Sequence, residues 1–249
     1  MGEPQRRVVR VSGKDALSFL QGLVSNDVLP LAKGPGVVWT ALLTPQGKYL
    51  ADFFVVNSGP DLVLDLPEGL ADATLQRLAM YRLRADVTLT PTDLAVQRGL
   101  GPLPEGALPD PRHPDLGWRF YGKMSPPEAV NWDAIRVRHV IPESGVELIP
   151  NESYLLETGF DRLHGVDFRK GCYVGQEVTA RMKHKTDLRK GLVRVRVSTP
   201  LPVGTAVLAG GKEAGTLYTQ SGGLGIAWLR FDRSLGAMSA DEATVEVDP

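Results

Sequence analysis

The chain has 249 residues, 43% of them hydrophobic and 23% charged, which is typical of an ordinary globular protein able to bury a full core. Its formal net charge of −1 gives no reason to expect direct nucleic-acid binding. Its one cysteine excludes an intramolecular disulfide, and no apolar run approaches the roughly 18 residues of a membrane span. The chain start lacks a signal-peptide pattern, so we expect a cytoplasmic protein without a membrane partner.

The first third of the chain alternates strand and helix patterns. Ser12 and Asp15 resemble the capping box that begins a helix, and the turn TPQGK at 44–48 lies between two strand-like runs. This mixed order with short turns predicts α+β layers. The expected elements are a strand at 7–11, a helix ending near 26–30, strands at 37–43, 53–56 and 62–66, a helix carrying Leu75, Leu78, Ala79 and Leu83, and a strand at 86–90.

The rest of the chain divides at two places. Five prolines in residues 99–117 predict a connector between two sub-regions, with neither a helix nor a central strand. A helix is predicted at 127–139, ending before Pro142, and another after Gly175. Short strand-like segments follow from residue 191, separated by Gly, Pro and Ser. We therefore expect an α+β body at 1–188 and a C-terminal β-barrel at 189–249.

The segment KGCYVGQE, residues 170–177, contains the only cysteine. Cys172 lies in a glycine-rich turn beside Arg169 and Lys170, ahead of the expected helix start, and such surroundings favour the thiolate. The alternative is a turn in which the cysteine is incidental. The sequence has no phosphate loop, GxGxxG motif, nucleophile elbow or HExxH motif, and its four histidines are scattered without zinc spacing. We predict no metal site.

KGCYVGQE resembles the K-G-C-Y-x-G-Q-E signature of the YgfZ-type folate-binding-like proteins, relatives of the glycine cleavage aminomethyltransferase (T-protein). Other segments resemble the same family. They are VSGKDALSFLQGLVSNDV near the N-terminus, the hairpin LLTPQGKYLADFFV, the stretch WDAIRVRHVIPESGVEL and the C-terminal KEAGTLYTQSGGLGIAWLR. The resemblance covers most of the chain except the connector at 99–117.

This resemblance implies an aminomethyltransferase-like folate-binding fold, with ferredoxin-like halves around a central cavity and a small C-terminal β-barrel. It implies a role in assembly or repair of iron–sulfur clusters, mainly [4Fe–4S], in client enzymes such as radical-SAM tRNA-modifying enzymes. The implied cofactor is tetrahydrofolate, and the implied partners are iron–sulfur client or carrier proteins. The implied site residues are Cys172 and Lys170 for the chemistry and Asp52, Arg136, Tyr173, Gly175, Gln176, Glu177 and Arg181 for folate binding.

The chain departs from the family pattern at two positions. Arg138 stands where R-I-E-x-G-I-P has its glutamate, and arginine offers only hydrogen-bond donors. We expect Arg138 to turn away from the cavity or to bind a folate glutamate tail, with Glu143, Glu147 or Glu157 as the replacement carboxylate. Asp52 matches one hairpin aspartate of the T-protein, but no second one is present.

Three functions remain open from the sequence. The first is an accessory protein, not a turnover enzyme, that uses Cys172 in cluster assembly. A [4Fe–4S] cluster needs about four ligands, so a partner, a second copy or a small thiol must supply the others. The second is a folate-dependent aminomethyl or one-carbon transferase. The third is a non-catalytic pterin-binding module.

Overall fold

An antiparallel sheet of five strands, in the order β2-β3-β4-β1-β5, forms the centre of the N-terminal part. The structure is a computed structural model, and it describes residues 5–59, 62–123, 129–185 and 187–248. The strands of this sheet are β1 (Arg6–Ser12), β2 (Gly36–Leu43), β3 (Tyr49–Asn57), β4 (Leu62–Pro67) and β5 (Thr88–Pro91). The helices are α1 (Ala16–Gln21), α2 (Glu68–Arg82), α3 (Trp132–His139) and α4 (Gln176–Lys185).

The central sheet is covered on both faces, because alternate residues of its strands enter two different core clusters. Phe53 and Val55 of β3 pack on one face with Leu20 of α1 and Leu78 of α2. Phe54 lies on the other face, in a cluster that takes its remaining members mostly from residues 116–173. Asp52 on β3 and Asp65 on β4 alternate with the first set, so they belong to this second face.

Six strands of the C-terminal part close into a barrel in the order β10-β11-β12-β9-β14-β13. Small and branched apolar residues such as Ala227 and Val245 fill its interior. The predicted α+β fold with a small C-terminal β-barrel is thus confirmed. The barrel strands are β9 (Lys190–Val197), β10 (Thr205–Ala209), β11 (Lys212–Ser221), β12 (Leu224–Arg230), β13 (Met238–Ala240) and β14 (Ala243–Val247).

The segment at 99–117 is not a connector between sub-regions. Both ends of the segment lie at the same small sheet, which has the strand order β6-β8-β7 and in which Gly99 pairs with Trp118. The expected absence of a central strand holds, because the two-residue β7 lies at the edge. The strands are β6 (Ala95–Gly99), β7 (Leu108–Pro109) and β8 (Trp118–Gly122), and a short 3-10 helix covers Pro114–Leu116.

Three helix boundaries differ from the prediction. The capping box was wrong: instead of capping α1, the Asp15 carboxylate accepts a hydrogen bond from Asp86 N at 2.8 Å. Leu83 lies outside α2, exposed and with a φ of +41°. α3 begins at Trp132, later than the predicted start at 127, and residues 127 and 128 lie outside the described residues. Its end at His139 agrees with the prediction, and Val140 there adopts the left-handed conformation.

None of the helices among the described residues has both the length and the apolar character needed to cross a bilayer.

Candidate functional site

The signature thiol, Cys172, is exposed on the loop that precedes α4. Lys170 attaches this loop to the end of α1, where its Nζ donates hydrogen bonds to Gln21 O at 2.6 Å and Val24 O at 2.5 Å. In return, Gln21 Nε2 donates to Lys170 O at 3.3 Å. Burial lowers the pKa of Lys170 to about 8. Lys170 therefore lies inside a backbone contact, two residues from the exposed sulfur.

Gly175 attaches the other side of the loop to the β2–β3 turn. Its φ is +81°, and a Cβ added to it would lie 2.4 Å from Thr44 O. Gly47 in that turn also has no room for a side chain, since a Cβ added to it would lie 2.7 Å from Val178 Cβ on α4. Real Cβ contacts are never that short. Glycine is therefore required on both sides, and this contact joins the signature to the TPQGK turn.

The side chain of Tyr173 anchors the loop to the protein core. It is only 8% exposed and belongs to the core cluster on the second face of the sheet. Gln176 holds its backbone on both sides: its Oε1 accepts from Tyr173 N at 3.2 Å, and its N donates to Tyr173 O at 3.3 Å. Burial raises the pKa of Tyr173 to about 12. Two other predicted site residues, Glu177 and Arg181, lie exposed on α4.

Asp52 is buried in the same core and its carboxylate is fully engaged. Oδ1 accepts from Tyr49 OH at 2.7 Å and Ser144 Oγ at 2.5 Å, and Oδ2 accepts from Trp39 Nε1 at 2.8 Å. Burial raises the pKa of Tyr49, which keeps this phenol a donor. The carboxylate thus joins β2, β3 and the segment after α3.

Arg136 of α3 is buried beside two glutamates. Its Nη2 donates to Glu147 Oε2 at 2.5 Å, and its Nε lies 3.8 Å from a carboxylate oxygen of Glu143. Glu147 also accepts from the backbone and hydroxyl of Thr219 on β11 at 3.2 and 2.5 Å, which connects this cluster to the barrel. Burial raises the pKa of Glu147, although Arg136 and Thr219 act against it.

The side chain of Glu143 is 13% exposed. Its carboxylate lies 3.8 Å from Arg136 Nε, which is too far for a hydrogen bond, and no other described residue donates a hydrogen bond to it. Burial would raise the pKa of Glu143, but the surrounding arginines lower it, Arg136 most strongly. It therefore stays ionised at neutral pH. Arg138, by contrast, is exposed at the surface, which is the first of the two arrangements that we expected for it.

A layer of buried charges extends this cluster, and the sequence analysis missed it. Asp65 accepts from Arg6 and Arg119, each at 2.5 Å, and Asp110 accepts from Arg112 at 2.8 Å and from Arg119 at 3.3 Å. Burial would raise the pKa of Asp65, but its two arginines lower it to about 2. The pKa of Asp110 is likewise lowered, mainly by Arg112 against the effect of burial. The detectable signal was the lone aspartate inside the apolar strand LVLDLP.

The predicted site residues thus form two groups. Cys172, Lys170, Tyr173, Gly175 and Gln176 build the exposed loop. Asp52 and Arg136 lie in the interior, beside the charged layer. The buried cluster that contains Tyr173 also contains Trp39 and Tyr49, which bond Asp52, so one core supports both groups.

Comparison with known proteins finds relatives that match most of the chain. Residues 189–249 match the family described as "CAF17, C-terminal beta-barrel domain". A mouse protein named "Iron-sulfur cluster assembly factor IBA57, mitochondrial" is 30% identical over 94% of this chain and 78% of its own length. The chain belongs to the IBA57 family of iron–sulfur cluster assembly factors. The human IBA57 protein matches to the same extent, with 30% identity, 94% of this chain and 78% of its own length.

Other members of the IBA57 family match over less of their length. The IBA57 homolog of Mycosarcoma maydis is 34% identical over 76% of this chain, which spans only 55% of that protein. The IBA57 assignment is consistent with the folate-binding-like resemblance and more specific than the YgfZ-type label. The expected cytoplasmic location is wrong by this comparison, because all three relatives are named mitochondrial. A lone cysteine excludes a disulfide but does not distinguish one reducing compartment from another.

The fold has a counterpart among solved structures. The glycine cleavage system aminomethyltransferase T from Bartonella henselae superposes with a TM-score of 0.75, covering 96% of this chain and 81% of that one. The two sequences are only 12% identical, so this likeness establishes the aminomethyltransferase-like fold alone.

Proposed function

We propose that this chain assists the assembly or repair of [4Fe–4S] clusters in client enzymes, with the Cys172 thiol as a transient iron ligand or nucleophile. The observation that carries the proposal is an exposed thiol on a loop attached on both sides, by Lys170 to α1 and by Gly175 to the β2–β3 turn. Such a loop presents the sulfur in one position. Because one thiol supplies one of about four ligands, a client or carrier protein contributes the others. Radical-SAM tRNA-modifying enzymes are the client class that the sequence resemblance suggests.

The test is complementation of cells that lack the protein, with the activity of a [4Fe–4S] enzyme measured under oxidative stress. Cys172→Ser keeps the size of the side chain but removes a soft ligand for iron, so we expect rescue to be lost. Cys172→Ala should behave in the same way. A cluster-free enzyme in the same cells serves as a control and should be unaffected.

The thermal midpoint of each variant separates function from folding. Cys172 is exposed, so both substitutions should leave the midpoint nearly unchanged. Rescue by the serine variant at the level of the wild type would show that the thiol is not used.

We further propose that tetrahydrofolate binds in the interior beside Asp52 and Arg136, with Glu143 as the carboxylate that accepts hydrogen bonds from the pterin. The other two glutamates are already engaged. Glu147 is bonded by Arg136 and Thr219, and Glu157 interacts with Lys190 and the side chain of Trp228. Glu143 is ionised and turned toward a region rich in arginine, which suits a ligand that carries both N–H donors and carboxylates.

The engaged state of Asp52 bears on the transferase alternative. A carboxylate that assists a reacting amine must have an oxygen available for it, and Asp52 already accepts three hydrogen bonds from the protein. We therefore propose that folate is bound but that one-carbon transfer is absent. Activity in a glycine cleavage assay would contradict this.

Calorimetry with tetrahydrofolate and its polyglutamate form tests the ligand. Glu143→Gln should weaken binding by about tenfold to a hundredfold, because hydrogen bonds to a charged group contribute about 1.5–3 kcal/mol. Glu152→Gln, at an exposed position, is the matched control and should bind like the wild type. If Glu143→Gln binds as tightly as the control, the assignment of this carboxylate is wrong.

A further inference from the structure

Three potential metal ligands meet on the surface, although the sequence separates them. His113 and Asp115 belong to the segment at 99–117, and His139 is the last residue of α3. The two imidazole rings stack with centroids 3.7 Å apart, and His139 Nε2 lies 2.7 Å from Asp115 Oδ2. One ligand atom of each residue lies within 4.8 Å of the other two. The four histidines are scattered along the sequence, but the fold brings two of them together.

The surrounding backbone holds the three residues near one another. His113 Nδ1 accepts a hydrogen bond from Asp115 N at 3.1 Å, so the two residues are held on one short turn. Arg162 donates to His139 O at 2.8 Å and Val140 O at 2.9 Å, which holds the end of α3 in place. The C-terminal end of a helix carries a partial negative charge and favours a nearby cation. The side chains of His139 and Asp115 are 22% and 49% exposed, so an ion can enter from solvent.

Two imidazoles and one carboxylate are the donor set that zinc and ferrous iron take in open sites, where water fills the remaining positions. Bonds of about 2.0–2.2 Å place tetrahedral ligand atoms roughly 3.4 Å apart. The His139–Asp115 pair at 2.7 Å must open slightly, and the other two separations, each at most 4.8 Å, must close by no more than about 1.4 Å. The two stacked imidazoles must also rotate out of their near-parallel arrangement, because a shared ion lies in the plane of each ring.

We propose that His113, Asp115 and His139 bind one divalent first-row transition-metal ion. The ion takes the place of the proton between His139 and Asp115, and that proton leaves to solvent. At His113 the ion takes the place of the Asp115 N–H on Nδ1, and that N–H then bonds to water. Within the described residues this is the one group of three or more His, Cys, Asp or Glu side chains that are close enough to share an ion. The site contains no residue of KGCYVGQE and does not depend on the function proposed for Cys172.

Calorimetry of the purified protein with zinc chloride, and the visible spectrum with cobalt(II), test the site. The wild type should bind one equivalent of either ion, with a cobalt spectrum typical of nitrogen and oxygen ligands. His139→Gln, His113→Gln and Asp115→Asn should each weaken binding by about a hundredfold or more, since loss of an outer-shell partner alone costs about 10–100-fold.

His184→Gln, at an exposed histidine elsewhere, and Cys172→Ser are the matched controls and should bind like the wild type. Thermal midpoints without metal check that each variant is folded, and the three ligand variants provide independent readings if one of them is not. The proposal is overturned if the wild type binds neither ion at micromolar concentration. It is equally overturned if binding persists in all three ligand variants or is lost in Cys172→Ser.

Discussion

Replacing Gly175 with alanine should separate the signature loop from the β2–β3 turn. Two independent costs arise. An alanine must adopt a φ of +81°, which L-residues avoid at a cost of about 1–2 kcal/mol. Its Cβ must also avoid Thr44 O at 2.4 Å and Leu43 Cβ at 2.9 Å, and relief of such overpacking costs about 1–3 kcal/mol. The free energy of unfolding should therefore fall by about 2–5 kcal/mol.

Gly171, four residues earlier in the same loop, offers a matched control. Its φ is +92°, but a Cβ added there meets nothing within 4 Å. Gly171→Ala should therefore show only the backbone cost of about 1–2 kcal/mol. The difference between the two variants isolates the contact with the turn, and we expect it to be about 1–3 kcal/mol.

Urea unfolding followed by circular dichroism measures both variants. For a chain of this size the expected difference corresponds to at least about 2 °C in the thermal midpoint. Equal losses in the two variants would refute the argument that the turn contact, and not the backbone conformation alone, requires glycine at 175. Gly47→Ala probes the same contact from the opposite side and should resemble Gly175→Ala.

Two further predictions concern the interior. Asp65 and Asp110 bind protons more weakly in the folded than in the unfolded chain, where aspartate has a pKa of about 3.9. Their stabilisation should thus be complete above about pH 5 and be lost as the pH falls from about 4 toward 2, and a urea midpoint that stays constant over that range would contradict this. Thr219→Val removes a donor from buried Glu147 and should cost about 1–3 kcal/mol at neutral pH. The same change at exposed Thr244 should have little effect, and equal urea midpoints for the two variants would argue against the contact.

The strands were predictable because their pattern is local. Two short apolar runs on either side of the turn TPQGK give β2 and β3 without reference to the rest of the chain. The barrel follows for the same reason, as its short strands are separated by Gly, Pro and Ser. The signature motif likewise placed Cys172 and the start of α4 within a few residues.

The buried ion pairs of Asp65 could not be predicted in this way, because both of its partners, Arg6 and Arg119, lie far away in sequence. Asp65 and Arg119 are 54 residues apart, and no local period connects them. The proline content of 99–117 correctly excluded a central strand, but the segment was mistaken for a connector between two sub-regions. Burial of Asp110 and Arg112 depends on contacts that only the complete fold provides. Asp15 failed as a cap for a similar reason, since Asp86 N competes for its carboxylate.

The contact between Lys170 and the end of α1 has a consequence for the order of folding. The two bonded segments are 149 and 146 residues apart in the chain, and the contact between Gly47 and Gly175 is also long-range. Closing such large loops is slow, so the thiol reaches its final position late. During synthesis the N-terminal elements emerge first and form the surface on which the later loop settles. A fragment that begins after the first sheet would contain the whole signature and still fail to present its sulfur in one position.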